Sequence, residues 1–339
     1  AGYYQMKRLS SVLFAIFLCS TANAVDKTGT MAAKFLSTDI GSRAIGMGGA
    51  FTSIANDGSS MYWNPAGIGF NSLRKFYVNH SNWIADVAFD YFSISIPLAT
   101  NRYLGINITS VSMGEMEVTR YGNEDTGEKF SASDHAFGLT YALNLTDRFS
   151  IGFNGKLIQE KIANNYANGF ALDLGTLFKT PYGFRLGTSI SNFGPKMKMT
   201  GDDLLVPVDI DETIYGNNES VTGYLSTDEF DLPLVLRVGI SNDVFIGGNN
   251  RITWAVDSNS PNDNRSYINM GVEVGLMNDI LVLRSGVNSL FLENREREFS
   301  YGIGIKSPSF IKQELYINYS FEVLKHLGDT HQMSIGISY

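Results

Sequence analysis

The chain has 339 residues, 26 Lys+Arg against 34 Asp+Glu for a net charge of −8, 44% hydrophobic and 12% aromatic content, and a single cysteine. The acidic balance argues against nucleic acid as a partner, and a lone cysteine excludes an intrachain disulfide framework. No stretch after residue 24 approaches 18 consecutive apolar residues, which excludes helical membrane spans but leaves ample apolar material for a sheet face.

Taken in chain order, residues 1–5 read as an upstream extension or cloning scar ahead of Met6, and residues 6–24 as a secretory signal peptide. Lys7 and Arg8 form its charged start and Leu9 to Cys19 its short apolar stretch. Ala22-Asn23-Ala24 gives a small-x-small cleavage pattern before Val25. Cleavage would remove two bases, leaving 24 against 34 acids and a charge of −10, together with Cys19. Phe17-Leu18-Cys19 lacks the small residues of a lipidation site.

Residues 25–73 do not alternate. They carry Gly41-Ser42-Arg43-Ala44-Ile45-Gly46-Met47-Gly48-Gly49-Ala50, then Asn56-Asp57-Gly58, then Asn64-Pro65-Ala66-Gly67. A dinucleotide loop would need a buried strand before the glycines and an acidic ribose ligand after them, and neither is present. The physical reading is a compact segment whose small residues permit close backbone packing.

From Arg74 onward the pattern has period two. Leu104, Ile106 and Ile108 alternate with Gly105, Asn107 and Thr109; Ile268, Met270, Val272 and Val274 alternate with Asn269, Gly271, Glu273 and Gly275. Strict alternation means strands with one apolar and one polar face. About fourteen such runs are predicted, at 75–84, 86–98, 101–111, 131–145, 148–163, 166–179, 182–191, 233–243, 250–258, 265–276, 280–288, 297–306, 311–322 and 330–339. Many have the 9–13 residues that a tilted strand needs to cross a bilayer. Long links (112–130, 192–232, 290–296 and 324–329) alternate with short turns. This suits a transmembrane antiparallel β-barrel spanning residues 74–339, in the bacterial outer membrane and bathed in its lipid.

A soluble β-sandwich would alternate too. Its wet face should carry more charge than this one, where glycine recurs at 105, 138, 152, 175, 187, 239, 271, 286, 302, 304 and 336. A fourteen-strand barrel is too wide for its own side chains to fill, so something else is expected inside. The sparse inward charges are Lys156, Asp173, Arg185, Arg237, Asp257, Glu273 and Arg284. They read as a paired network holding a plug rather than as a filter, because neither sign dominates. Trp83, Tyr91, Phe92, Trp254, Tyr301, Tyr319 and Tyr339 are expected in interfacial girdles.

The longest link carries Asp202, Asp203, Asp209, Asp211, Glu212, Glu219, Asp228, Glu229 and Asp231 after Lys198, with no base. Its length and single sign of charge make it the candidate partner-docking loop. Asp209-Ile210-Asp211-Glu212 could offer oxygens to calcium but lacks the spacing of a calcium loop. The four histidines, His80, His135, His326 and His331, sit near strand ends without a recognisable nucleophile or metal-ligand motif, so no catalytic residue, cofactor or metal is assigned.

The stretch from Phe35-Leu36 through Gly41–Ala50 and Ala55-Asn56-Asp57 to Trp63-Asn64-Pro65-Ala66-Gly67 resembles the opening of the PorV/PorQ family. That family is related to FadL-type fourteen-strand barrels, in which the N-terminal segment forms a hatch in the lumen. The resemblance implies a hatch at residues 25–73, with Arg43, Gly46, Gly48, Gly49, Asn56, Asp57, Asn64, Pro65, Ala66 and Gly67 as its marked positions. It also implies a link to type IX secretion, binding or shuttling secreted proteins that carry C-terminal sorting domains. The alternative is passive transport of fatty acids or other hydrophobic compounds. The mostly Gly, Ser and Asn inward face favours the first, because a transporter needs an apolar pocket.

Overall fold

The computed structural model describes residues 29–71, 73–123, 126–209, 213, 221–293, 295–308 and 313–339, apart from the Asp86 side chain. The expected signal peptide, residues 1–5, and Asp211 and Glu212 of the candidate docking loop lie outside the described residues.

Fourteen strands form one closed antiparallel ring among the described residues. They are β1 (Lys75–Asn82), β2 (Ala88–Ala99), β3 (Arg102–Ser112), β4 (Ala132–Thr146), β5 (Phe149–Ile162), β6 (Asn165–Lys179), β7 (Arg185–Phe193), β8 (Val235–Ile246), β9 (Asn250–Pro261), β10 (Tyr267–Leu276), β11 (Leu281–Leu290), β12 (Arg297–Lys306), β13 (Glu314–Leu324) and β14 (Thr330–Ser338). Each pairs with its sequence neighbour, and β1 meets β14 in the register Lys75↔Ser338 to His80↔Met333. Beyond that ladder, Arg74 and Tyr339 exchange two further backbone hydrogen bonds of 3.0–3.1 Å. Closure leaves no edge strand to pair elsewhere. All fourteen predicted runs are strands, offset at most by a few residues.

The faces of this sheet are inverted relative to a soluble protein. Leu157 is 67% exposed and Phe170 53%, whereas Asn154 and Glu273 are fully buried. Apolar side chains outside and polar ones inside is the arrangement lipid demands, since strand backbone groups are satisfied only by a closed ring. A sandwich would bury Phe170 and expose Asn154. Tyr91 departs from the girdle expectation. It shares parity with Phe89, Ser93 and Ser95, points inward, and is buried against Tyr77 at a ring distance of 6.2 Å.

The loop asymmetry is narrower than its sequence suggests. Two links are long, at 113–131 and 194–234, while β5–β6 is joined by two residues at the same end. Both long links hold small hairpins of their own, Met116–Glu117 with Lys129–Phe130 and Leu205–Val208 with Val221–Tyr224. Period-two reading missed these because the strands are too short to alternate.

Candidate functional site

Residues 29–71 touch inward-facing side chains on strands all round the ring, and such partners are met together only from within it. The path starts at the long-loop end. Ala32 N donates to Asp231 O (3.0 Å), Ala33 N to Glu160 Oε1 (2.8 Å), and Lys34 pairs with Asp263. It finishes at the short-turn end, where Gly69 O accepts from Asn144 Nδ2 (2.6 Å). Between them lie two short helices, α1 (Ser42–Gly46) and α2 (Ser60–Trp63), and a 3-10 turn over Pro65–Phe70.

The segment carries a small apolar core. Trp63 is buried edge-on to Phe51 (6.2 Å) and Tyr62 (5.2 Å), and its Nε1 donates to Ile40 O at 2.9 Å. At the long-loop end this core merges with Phe35, Leu36, Phe89, Val111, Ile158 and Leu232. The inward face is therefore apolar there, and polar only further down. The sequence reading of a mostly Gly, Ser and Asn inward face with scattered charge needs that correction at this end.

The polar part is an ion network. Glu273 accepts from Arg43 Nε (2.7 Å) and Nη2 (2.8 Å), from Arg251 Nη2 (2.8 Å) and from Arg284 Nε (2.7 Å). Burial works against the Arg43 charge, but the Glu273 carboxylate overrides it and raises the guanidinium pKa above its ordinary value. Lys156 pairs with Asp173 (2.8 Å) and Arg185 with Asp243 (2.8 Å). Asp257 Oδ2 accepts from the Phe51 and Thr52 amides at 2.9 and 2.8 Å. Arg237 stacks over Tyr62 and Trp63 at 5.4–5.5 Å.

The sequence-derived set of inward charges left out Asp243, Arg251 and Glu322, though each lies on the inward parity of its strand. Arg297, which pairs with Asp39 and Glu322, was hidden because a register shift separates it from Ser300.

Other marked positions sit as follows. Gly46 faces Gly302. Gly48 and Gly49 take left-handed φ of +67° and +71°, and Gly48 N donates to Ser300 Oγ at 3.0 Å. Asn56 Oδ1 accepts from Arg43 Nη1 (2.6 Å), and Asp57 Oδ1 from the Ser59 amide (2.8 Å) and hydroxyl (2.6 Å). Asn64 Nδ2 donates to Thr52 O and Thr176 O, and its Oδ1 caps the 3-10 turn at Ala66 N, with Pro65 at the first position. A Cβ on Gly271 would lie 2.2 Å from Met47 O, so a wall glycine lets the segment's backbone approach.

In the long link, Asp202, Asp203, Asp228 and Glu229 are exposed and Asp209 is half-buried. Asp203 accepts from the Asn164 amide (3.0 Å), Asn164 Nδ2 (3.0 Å) and Asn165 Nδ2 (3.1 Å), tying the loop to the β5–β6 tip. These hydrogen bonds, chiefly from the Asn164 side chain and amide, hold its carboxyl below the usual range. Leu205, Val208, Tyr224, Leu225 and Phe230 are exposed among the acids. Among the described residues no three His, Cys, Asp or Glu side chains are grouped to hold a metal ion.

No curated protein matches the sequence. The fold is similar to three solved barrels. The Pseudomonas putida toluene transporter TodX shares 11% identity, covering 93% of this chain and 98% of that one, with a TM-score of 0.55. The Ralstonia pickettii toluene transporter TbuX shares 13% over 88% and 97%, at 0.53. A Pseudomonas aeruginosa FadL homologue shares 12% over 92% and 99%, at 0.54. Residues 21–211, more than half of the chain, match the family described as Type IX secretion system protein PorV, and the chain belongs to that family, as a FadL-like barrel of the bacterial outer membrane associated with type IX secretion.

Proposed function

We propose that the protein is a non-enzymatic receptor barrel that binds or shuttles proteins exported by type IX secretion, recognising their C-terminal sorting domains. Residues 29–71 act as a hatch that closes the lumen, and the 194–234 loop is the docking surface. One observation carries this reading. The largest loop exposes Leu205, Val208, Tyr224, Leu225 and Phe230 beside Asp202, Asp228 and Glu229. Exposed apolar groups rimmed by like charge suit a protein partner with a basic, partly apolar face. Deleting residues 200–228 is expected to abolish co-purification of secreted proteins while the barrel still shifts on heating in gels. Undiminished co-purification would refute the loop's role.

A second reading, passive transport of hydrophobic compounds, is favoured by the apolar interior at the long-loop end and by the fold shared with toluene transporters. It requires Phe35, Leu36 and Leu232 to part, because they belong to one packed apolar cluster. Lipid or hydrocarbon recovered with the native protein, without secreted proteins, would establish it over the first.

A further inference from the structure

Two cavities lie at the short-turn end, beneath α1. One, of about 270 Å³, is lined by Arg43, Lys75, Arg185, Arg251, Arg284 and Lys306 against Asp57, Asp243, Glu273 and Asp279. The other, of about 180 Å³, shares Asn56, Lys75 and Arg185 with it and adds Lys179 and no acid. Together they present seven bases and four acids. Glu314, paired with Lys306 at 2.8 Å, makes five. Two positive charges remain in excess.

The excess is localised. Arg284 gives its Nε to Glu273, but its Nη1 is buried and has no hydrogen-bond partner among the described residues. The guanidinium faces Gly304, where a Cβ would come within 2.8 Å of Nη1, so the glycine leaves its front open to the cavity. Lys75 Nζ bonds to Asn56 O and to Asn71 Oδ1, and among the described residues no carboxylate lies within ion-pair distance of it. Lys179 sits over the Phe70 ring at 3.8 Å. A buried guanidinium N–H without an acceptor is costly, and an anion is the group that satisfies it best. Access is graded. Side-chain exposure falls from 37% at Asp279 and 21% at Lys306 to 3% at Arg284, so the pocket opens at the short-turn mouth and ends at that guanidinium.

We propose that this pocket binds an oxyanion group, a carboxylate or phosphate, held by Arg284 Nη1 at its floor with Lys75 and Lys306 nearer the mouth. The opening lies at the end of the barrel opposite the 194–234 loop. The group comes either from a soluble anion or from an anionic lipid headgroup.

The test titrates inorganic phosphate, at constant ionic strength, into the full barrel in neutral detergent, reading heat of binding and melting temperature. Saturable one-to-one binding is expected, weakened at least tenfold in Arg284→Gln and several-fold in Lys306→Gln. Absence of saturable binding, or wild-type affinity in Arg284→Gln, overturns the proposal. Should Arg284→Gln fail to fold, unchanged affinity in Lys306→Gln, whose amine is part-exposed, overturns it as well. Repeating the titration in phosphatidylcholine discs with and without phosphatidylglycerol separates the sources. Competition by the anionic lipid marks a headgroup site, and equal binding in both marks a soluble anion.

Discussion

Replacing Glu273 by alanine tests how the wall grips the segment inside it. The carboxylate is fully buried and accepts four hydrogen bonds of 2.7–2.8 Å from Arg43, Arg251 and Arg284. Arg251 keeps Asp279 at 3.0 Å. Arg43 and Arg284 lose the only carboxylate that pairs with them among the described residues. Stranding buried charge in this way costs about 3–5 kcal/mol. With a urea dependence of about 3 kcal/mol per molar, the midpoint should fall by roughly 1–1.7 M. The assay is urea unfolding in lipid vesicles, followed by the fluorescence of Trp63, which lies in the segment, and of Trp254 in the wall. Glu273→Gln keeps an acceptor oxygen and should lose about half as much. In Arg43→Ala/Glu273→Ala the loss should fall short of the sum of the singles by about 1–2 kcal/mol, because the two changes remove one contact. A midpoint for Glu273→Ala equal to wild type would refute the bracket.

Four further outcomes are expected. Gly271→Val drives a side chain into the Met47 carbonyl and should cost about 1–3 kcal/mol by overpacking, with faster proteolysis of residues 29–71. Gly155→Ala, whose Cβ meets nothing closer than 3.7 Å, should be neutral in the same digestion. Phe153→Arg puts charge on the lipid-facing wall and should lower stability in bilayers by about 2–4 kcal/mol if the site lies near mid-membrane, whereas a soluble sandwich would tolerate it. The Asp203 carboxyl has a depressed pKa, so its ties to Asn164 are intact at neutral pH and are lost as pH falls through that lowered value. Hydrogen exchange at the Asn164 amide, corrected for its intrinsic pH dependence, should therefore rise in acid, and Asp203→Ala should show the raised exchange already at neutral pH.

The wall was legible because lipid outside and a largely polar lumen inside impose one alternation on most of each strand, and strands such as 268–275 obey it without exception. The same rule, carried to strand ends, would have placed Asp243, Arg251 and Glu322 inside. It could not place Arg297, which a register shift takes off the alternation, whereas it did point Tyr91 inward and only the aromatic ring suggested a girdle. The segment from Gly41 to Gly67 was legible as small and glycine-rich. Its contacts were not, since Arg43 meets Glu273 across 230 positions of chain and no local pattern encodes that. The apolar interior near the long loops was missed for a related reason: Phe35, Leu36 and Leu232 come from non-alternating segments, and only the fold sets them against Phe89 and Ile158.

The position of that segment also constrains the order of biogenesis. It precedes β1 in the chain, yet its partners include Glu273 on β10, Ser300 on β12 and Gln332 on β14, whose Nε2 reaches Asp39 O at 3.4 Å. Its last contacts form only when the final strand arrives to join β1. The full set of contacts between the segment and the wall therefore exists only in the closed ring. Damage to residues 39–48 should be felt at the seam between the first and last strands as well as within the segment.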